Sequence, residues 1–142
     1  MTGYMALLKE SGLKATFQRL HILEVVDKYG HIAIEDIYDK VIKIHPSLSV
    51  ATIYKNIIIM VEKGVLVEVP IMGRKSKYEL SKLDHIHLVC TQCGEVEDLA
   101  CTKDINNILD FLTQEEKFKL TKQQINLYGT CSHCQSQKIL QK

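Results

Sequence analysis

Hydrophobic residues in the first half of the chain recur every three or four positions, the period of helices that bury one face against a core. From Thr16 to Lys28, Phe17, Leu20, Ile22, Leu23, Val25 and Val26 fall mostly on one side of such a helix, and the Thr16 hydroxyl can cap its first turn. Ile37, Val41 and Ile44 continue the pattern in a shorter helix from about Ile34 to Ile44. His45-Pro46 should stop it, because the residue before a proline avoids helical backbone. Ser49 is placed to cap a third helix, Val50 to Lys63, and Gly64 to end it. The period then shortens. Residues 65–69 (Val-Leu-Val-Glu-Val) and 77–80 (Lys-Tyr-Glu-Leu) read as strands joined by a loop containing Gly73. Three short helices followed by a strand pair outline a winged helix-turn-helix.

Further along, His85-Ile86-His87 alternates as a strand does, which sends both imidazoles to one side. Residues 95–99 (Glu-Val-Glu-Asp-Leu) can pair with that strand antiparallel through a turn at 91–94. In the simplest register residue 91 faces 94 and His87 stands opposite Asp98, although a zinc-knuckle turn could shift the pairing by one. Two histidines on one face form either a metal clamp or ordinary hydrogen bonds. With a carboxylate oxygen beside them, they make a donor set suited to Fe(II) or Mn(II) rather than to a closed thiolate site.

The cysteines carry the strongest chemical signal. Cys90-Thr91-Gln92-Cys93 and Cys131-Ser132-His133-Cys134 are two C-x-x-C units, whose two-residue spacers let four sulfurs close around one zinc ion. Gly94 supplies backbone freedom right after the first pair. The 37 residues between the pairs leave room for a helix and a strand, so the ion would clip a β-hairpin to the C-terminal segment. No charged-then-apolar signal stretch opens the chain, and no run approaches the roughly 18 apolar residues of a membrane span. The expectation is a cytoplasmic protein away from membranes, with reduced thiols and therefore zinc rather than disulfides. Cys101 has no partner at metal spacing and is expected to be a small, partly buried thiol.

At 142 residues the chain fits one large domain or two small ones. Its 46% hydrophobic content can build cores, yet each half alone would be marginal without an added staple. The overall charge of +1 conceals an asymmetry. Residues 1–82 hold 12 Lys/Arg against 9 Asp/Glu, net +3, and residues 83–142 hold 6 against 8, net −2. Arg74, Lys75 and Lys77 near the hairpin tip suit a phosphate backbone. Ser49, Thr52, Tyr54, Lys55 and Asn56 give the third helix a polar face that either reads DNA or is simply solvated.

Nearly the whole sequence resembles the ferric uptake regulator superfamily of bacterial metal-dependent repressors, and within it the peroxide-sensing branch most. The segments that carry the resemblance are Lys14 to Arg19, His31 to Tyr38, Ser49 to Asn56, His85 to Cys93 and Leu127 to Cys131. The resemblance implies an α+β homodimer: a winged-helix DNA-binding domain over 1–82 and an α/β dimerisation domain with a four-cysteine structural zinc site over 83–142. It also implies a regulatory Fe(II) or Mn(II) ion at the hinge. By position, His31 and Glu79 match the family's ligands from the DNA-binding half, and His85, His87 and Asp98 those from the other. Thr16, Gln18, Arg19, Arg74 and Lys75 join the third-helix residues as expected contacts to operator DNA.

The aspartate at position 98 matches peroxide sensors, where iron sensors usually carry glutamate. The function implied is a repressor released when hydrogen peroxide oxidises a ligand histidine, His31 or His85, with plain iron sensing as the alternative. Three departures stand out. Glu79 replaces the aspartate of the best-known peroxide sensors, and Phe17 replaces the proline usual before Gln-Arg. Ile86 and Gln123 occupy two ligand positions of a further metal site found in many iron sensors, so that site is expected to be absent. An enzyme is not expected: no nucleophile motif or Gly-rich phosphate cradle accompanies the metal-type residues.

Overall fold

The computed structural model describes residues 2–82 and 85–140. The chain divides into two compact units, Met1–Lys82 and Leu83–Lys142. Leu83 and Asp84, where the expected boundary falls, lie outside the described residues.

The first unit runs α1 (Thr2–Glu10), α2 (Phe17–Tyr29), β1 (Ile32–Ala33), α3 (Ile34–Val41), α4 (Val50–Glu62), β2 (Leu66–Val69) and β3 (Lys77–Leu80). Thr16 and Ser49 cap α2 and α4 as their sequence positions suggest, each side-chain oxygen accepting the backbone N–H three residues on. Leu20, Ile22, Leu23, Val25 and Val26 of α2 are buried, together with Ile53, Ile57 and Met60 of α4. Each fully buried aliphatic side chain among them contributes about 1.5–3 kcal/mol. Phe17 departs from the expected apolar face. It is 76% exposed at the first position of α2, where the side chain projects past the end of the core.

Helix α3 closes at Val41, three residues before the expected end, and Ile44 points out at 65% exposure. The His45 backbone N–H bonds to the Val41 carbonyl and turns the chain away. Helix α1 and strand β1 had no periodic signature. Among the described side chains of α1 only Leu8 is fully buried, with Tyr4 and Leu7 packed partly against the core, and the Tyr4 hydroxyl donates to Asp27 at 2.5 Å. That hydrogen bond raises the Tyr4 phenol to about 12. The three strands form an antiparallel sheet in the order β1-β3-β2.

The second unit runs β4 (His85–Cys90), β5 (Val96–Ala100), α5 (Lys103–Glu115), β6 (Ile125–Gly129) and α6 (Ser132–Leu140). Its sheet order is β5-β4-β6, with β5 antiparallel and β6 parallel to β4. A parallel neighbour cannot be reached through a hairpin, so the helix and strand between the cysteine pairs form the crossover. Gly94, at φ +79°, lets the turn after β4 close, with its N–H on the Cys90 carbonyl at 2.9 Å. None of the thirteen residues of α5 is buried. Among the described residues no helix is long and apolar enough to cross a membrane.

Candidate metal centres and nucleic-acid interface

The end of β4, the following turn and the start of α6 bring the four cysteines of the two pairs together. Their sulfurs all lie within 4.8 Å of one another, with Cys90–Cys134 and Cys93–Cys131 at 3.8 Å. A tetrahedron with zinc–sulfur bonds of about 2.3 Å has edges of about 3.8 Å. A disulfide would need about 2.05 Å, and all four are free thiols. Backbone N–H groups of Cys131 and Cys93 approach the Cys90 sulfur at 3.4 and 3.5 Å. They hold its thiol down to about 5, whereas contact with Cys131 pushes Cys134 up to about 12. Sulfurs this close repel as anions, and a divalent cation at their centre removes the conflict. The cage fits zinc. Cys101 stands apart and half-buried, its sulfur 3.8 Å from the Gln123 amide nitrogen.

In the second unit the β4–β5 register places His87 opposite Asp98 and His85 opposite Ala100, the simplest of the pairings the alternation allowed. His85 Nε2 and His87 Nε2 are 2.9 Å apart, and Asp98 Oδ1 lies 3.3 Å from the first and 3.7 Å from the second. Two nitrogens at adjacent corners of an octahedron with bonds of about 2.1 Å are separated by about 3.0 Å. Two imidazoles and a carboxylate converging at such distances can hold a divalent ion.

In the first unit the antiparallel register pairs Ile32 with Tyr78 and Ala33 with Lys77. One step back along the ladder His31 faces Glu79, with Nε2 2.7 Å from a carboxylate oxygen on a side chain that is 0% exposed. Strand β1 makes this contact possible and is only two residues long, too short to leave a period in the sequence. Lys82 Nζ also approaches the same oxygen, at 4.0 Å.

The residues expected to face DNA divide by what they touch. Tyr54, Lys55 and Thr52 are exposed along α4 with Val50, Ala51 and Ile58, and Gln18 is half-exposed near the start of α2. Thr16 and Ser49 spend their hydroxyls on caps, and the Ser49 hydroxyl is also 3.0 Å from that of Thr52. Arg19 is engaged inside the unit: Nε donates to Asn56 Oδ1 at 3.1 Å and a terminal nitrogen to the Lys14 carbonyl at 3.0 Å. Asn56 in turn donates to the Thr52 carbonyl at 3.0 Å. Arg19 and Asn56 therefore tie α2 to α4. Arg74 lies in the exposed turn before β3. Lys75 is exposed there and paired with Glu35 at 2.6 Å, which lowers the Glu35 carboxyl below its usual range. An exposed pair of this kind is weak enough to yield to a phosphate. Nothing in the sequence pointed to Glu35 or to the Arg19–Asn56 bond, since both partners are distant along the chain.

A winged helix-turn-helix carried on one chain with a four-thiolate cage and histidine–carboxylate clusters defines a metalloregulatory protein. The chain belongs to the Ferric uptake regulator family, whose model matches residues 10–128. Members of the family regulate transcription rather than catalyse reactions. The sequence is 35% identical over 135 residues to the ferric uptake regulation protein of Neisseria gonorrhoeae, covering 93% of each chain. It is 29% identical over 132 residues to the peroxide-responsive repressor PerR of Staphylococcus aureus, covering 92% of this chain and 88% of that one. Among solved structures it resembles the Campylobacter jejuni peroxide stress regulator, with a TM-score of 0.76 and 32% identity over 92% of this chain and 98% of the other.

Proposed function

We propose that this protein is a dimeric, metal-dependent repressor that binds double-stranded operator DNA and senses hydrogen peroxide through a regulatory Fe(II) or Mn(II) ion. The observation that carries the reading is the convergence of His85, His87 and Asp98, with the two ring nitrogens 2.9 Å apart and the Asp98 oxygen 3.3 and 3.7 Å from them, on a unit that also carries a four-cysteine cage of zinc-fitting size. These three donors leave coordination positions to fill, and the His31–Glu79 pair supplies two more of the same chemistry. One ion shared by both sets would couple the winged helix to the rest of the molecule. Binding it would favour the arrangement in which two recognition helices match successive major grooves. A second copy of the chain is suggested by α5, whose Ile108, Phe111 and Leu112 form an exposed apolar ridge at helical spacing, 62% exposed at Phe111.

The peroxide branch rests on Asp98, one methylene shorter than the glutamate that iron sensors usually carry there. Bound Fe(II) would supply the electron transfer through which hydrogen peroxide oxidises a ring carbon of His31 or His85: one peroxide oxygen is added to the ring, which loses two electrons in all, and the other oxygen leaves as water. Such a ring is a poorer donor, so the ion and the DNA are both released. A second reading, iron sensing without histidine oxidation, is favoured by the 35% identity to the Neisseria regulator. Iron-loaded dimer exposed to micromolar peroxide should gain 16 mass units on the His31 or His85 peptide, while manganese-loaded dimer should stay intact and bound to promoter DNA. Unmodified histidines in iron-loaded protein would select the iron-sensing reading. Sharing of the ion has its own test: Glu79→Gln and His87→Ala should each weaken Mn(II) binding at least tenfold. Tight binding by either variant would separate the two donor sets.

A further inference from the structure

Strand β6 adds a residue to the metal-type cluster that no motif announced. The parallel β4–β6 register sets Asn126 beside His87, on the flank opposite Asp98, so that Asp98, His87 and Asn126 form a row across three strands. Residues aligned in this way share a face of the sheet. Asn126 Oδ1 lies 2.8 Å from His87 Nδ1. His87 itself is 1% exposed, so its ring has little freedom to find another partner in solvent.

An amide oxygen only accepts hydrogen bonds, so this contact requires a proton on His87 Nδ1. A neutral imidazole carries one proton, and Nε2 is then left with its lone pair directed at His85 and Asp98. The 2.9 Å separation between the two Nε2 atoms therefore holds a proton belonging to His85, or else a cation. His87 is prepared for a metal before one arrives.

We propose that Asn126 is a positioning residue that holds His87 as its Nδ1–H tautomer, presents Nε2 to the regulatory ion and thereby sets the affinity of the site. The proposal rests on the metal-dependent reading above. Acceptors behind a ligand imidazole fix its orientation, and losing one typically costs about 10–100-fold in metal affinity. An amide, being neutral, orients the ring without adding the charge that a carboxylate would place behind it. Asn126 thus lets the site release its ion more readily than an aspartate there would.

The test uses the full-length, zinc-loaded protein. Long-range proton–nitrogen NMR in the absence of Mn(II) should show the His87 ring protonated on Nδ1. Asn126→Leu should lose that single tautomer and bind Mn(II) about 10–100-fold more weakly, with zinc content and melting temperature unchanged as controls of the fold. Asn126→Asp keeps an acceptor and should bind at least as tightly as the parent. The proposal is overturned if His87 is protonated on Nε2 in the parent protein. It is equally overturned if Asn126→Leu binds Mn(II) within threefold of the parent while His87→Ala does not bind, an outcome that leaves the metal reading intact. Should His87→Ala also bind as the parent does, the metal reading falls and this proposal with it.

Discussion

Sixteen buried hydrophobic residues form one cluster in the first unit, fifteen from four helices and three strands and the sixteenth, Val65, just before β2. Among the described residues the hydrophobic side chains that the second unit buries are only Ile86, Val89 and Val96, together with Cys90 and Cys134 of the cage, beside the buried ring of His87. Its longest helix buries nothing. The first unit has the core expected of a small domain that folds on hydrophobic burial. The second has roughly a strand pair's worth of apolar contact and needs a staple, as small domains with too little core do. The difference fits the proposed division of labour, in which a well-packed first unit would read DNA and the fold of the second would depend on zinc and on a second copy of the chain.

Removing the zinc should break this comparison most severely. Cys90→Ser leaves three thiolates, and structural zinc sites contribute on the order of 10 kcal/mol to the folding of small domains. The expected result is loss of zinc by elemental analysis, unfolding of the second unit and loss of the dimer by light scattering. Amide protection in α2 and α4 should survive. Loss of protection throughout the chain would show that the first unit also depends on the cage.

The reverse perturbation comes next in size. Leu23 and Ile57 are 0% exposed, and truncating either to alanine should destabilise the first unit by about 2–5 kcal/mol. Zinc content should remain unchanged. Denaturation followed by probes in each unit should separate into two transitions, the earlier one belonging to the first unit.

The sequence was legible where a local rule acts and silent where distant residues meet. Caps at Thr16 and Ser49, the strand at 77–80 and the two cysteine pairs obey rules of spacing, so they could be read directly. The pairing of His87 with Asp98 follows from alternation and a tight turn. Phe17 was misplaced because periodicity cannot tell whether the first residue of a helix has a core beside it. Asn126, Glu35 and the Arg19–Asn56 bond depend on a parallel crossover or on contacts 37 or more residues apart, and no pattern encodes them. His31 could be assigned by resemblance, but its contact with Glu79 depends on a two-residue strand without a signature.

A smaller effect is expected from Arg19. Arg19→Met keeps much of the aliphatic stem but removes the bonds to Asn56 and Lys14, which should cost about 1 kcal/mol in the first unit. If Arg19 acts by fixing α4, Asn56→Ala should weaken operator binding similarly, and the double variant should lose little more than either single one. Additive losses would instead mean that the two side chains reach DNA independently.

The smallest expected effect is set by pH and again separates the units. His21 on α2 is packed edge-on against His45, with ring centroids 5.4 Å apart, and its buried Nδ1 has no hydrogen-bond partner. Burial first, and the neighbouring His45 second, lower its pKa below the ordinary 6.5. A histidine that resists protonation when folded but accepts it when unfolded draws the equilibrium toward the unfolded chain as pH falls through the unfolded value. The contribution is fully present above about pH 7 and is lost progressively below about 6.5. The urea midpoint of the first unit should therefore fall between pH 7.5 and 5.5, and His21→Phe should flatten the decline. Because acid also protonates metal ligands, the comparison belongs to the first unit's own transition; an identical pH dependence in His21→Phe would assign the effect to other groups.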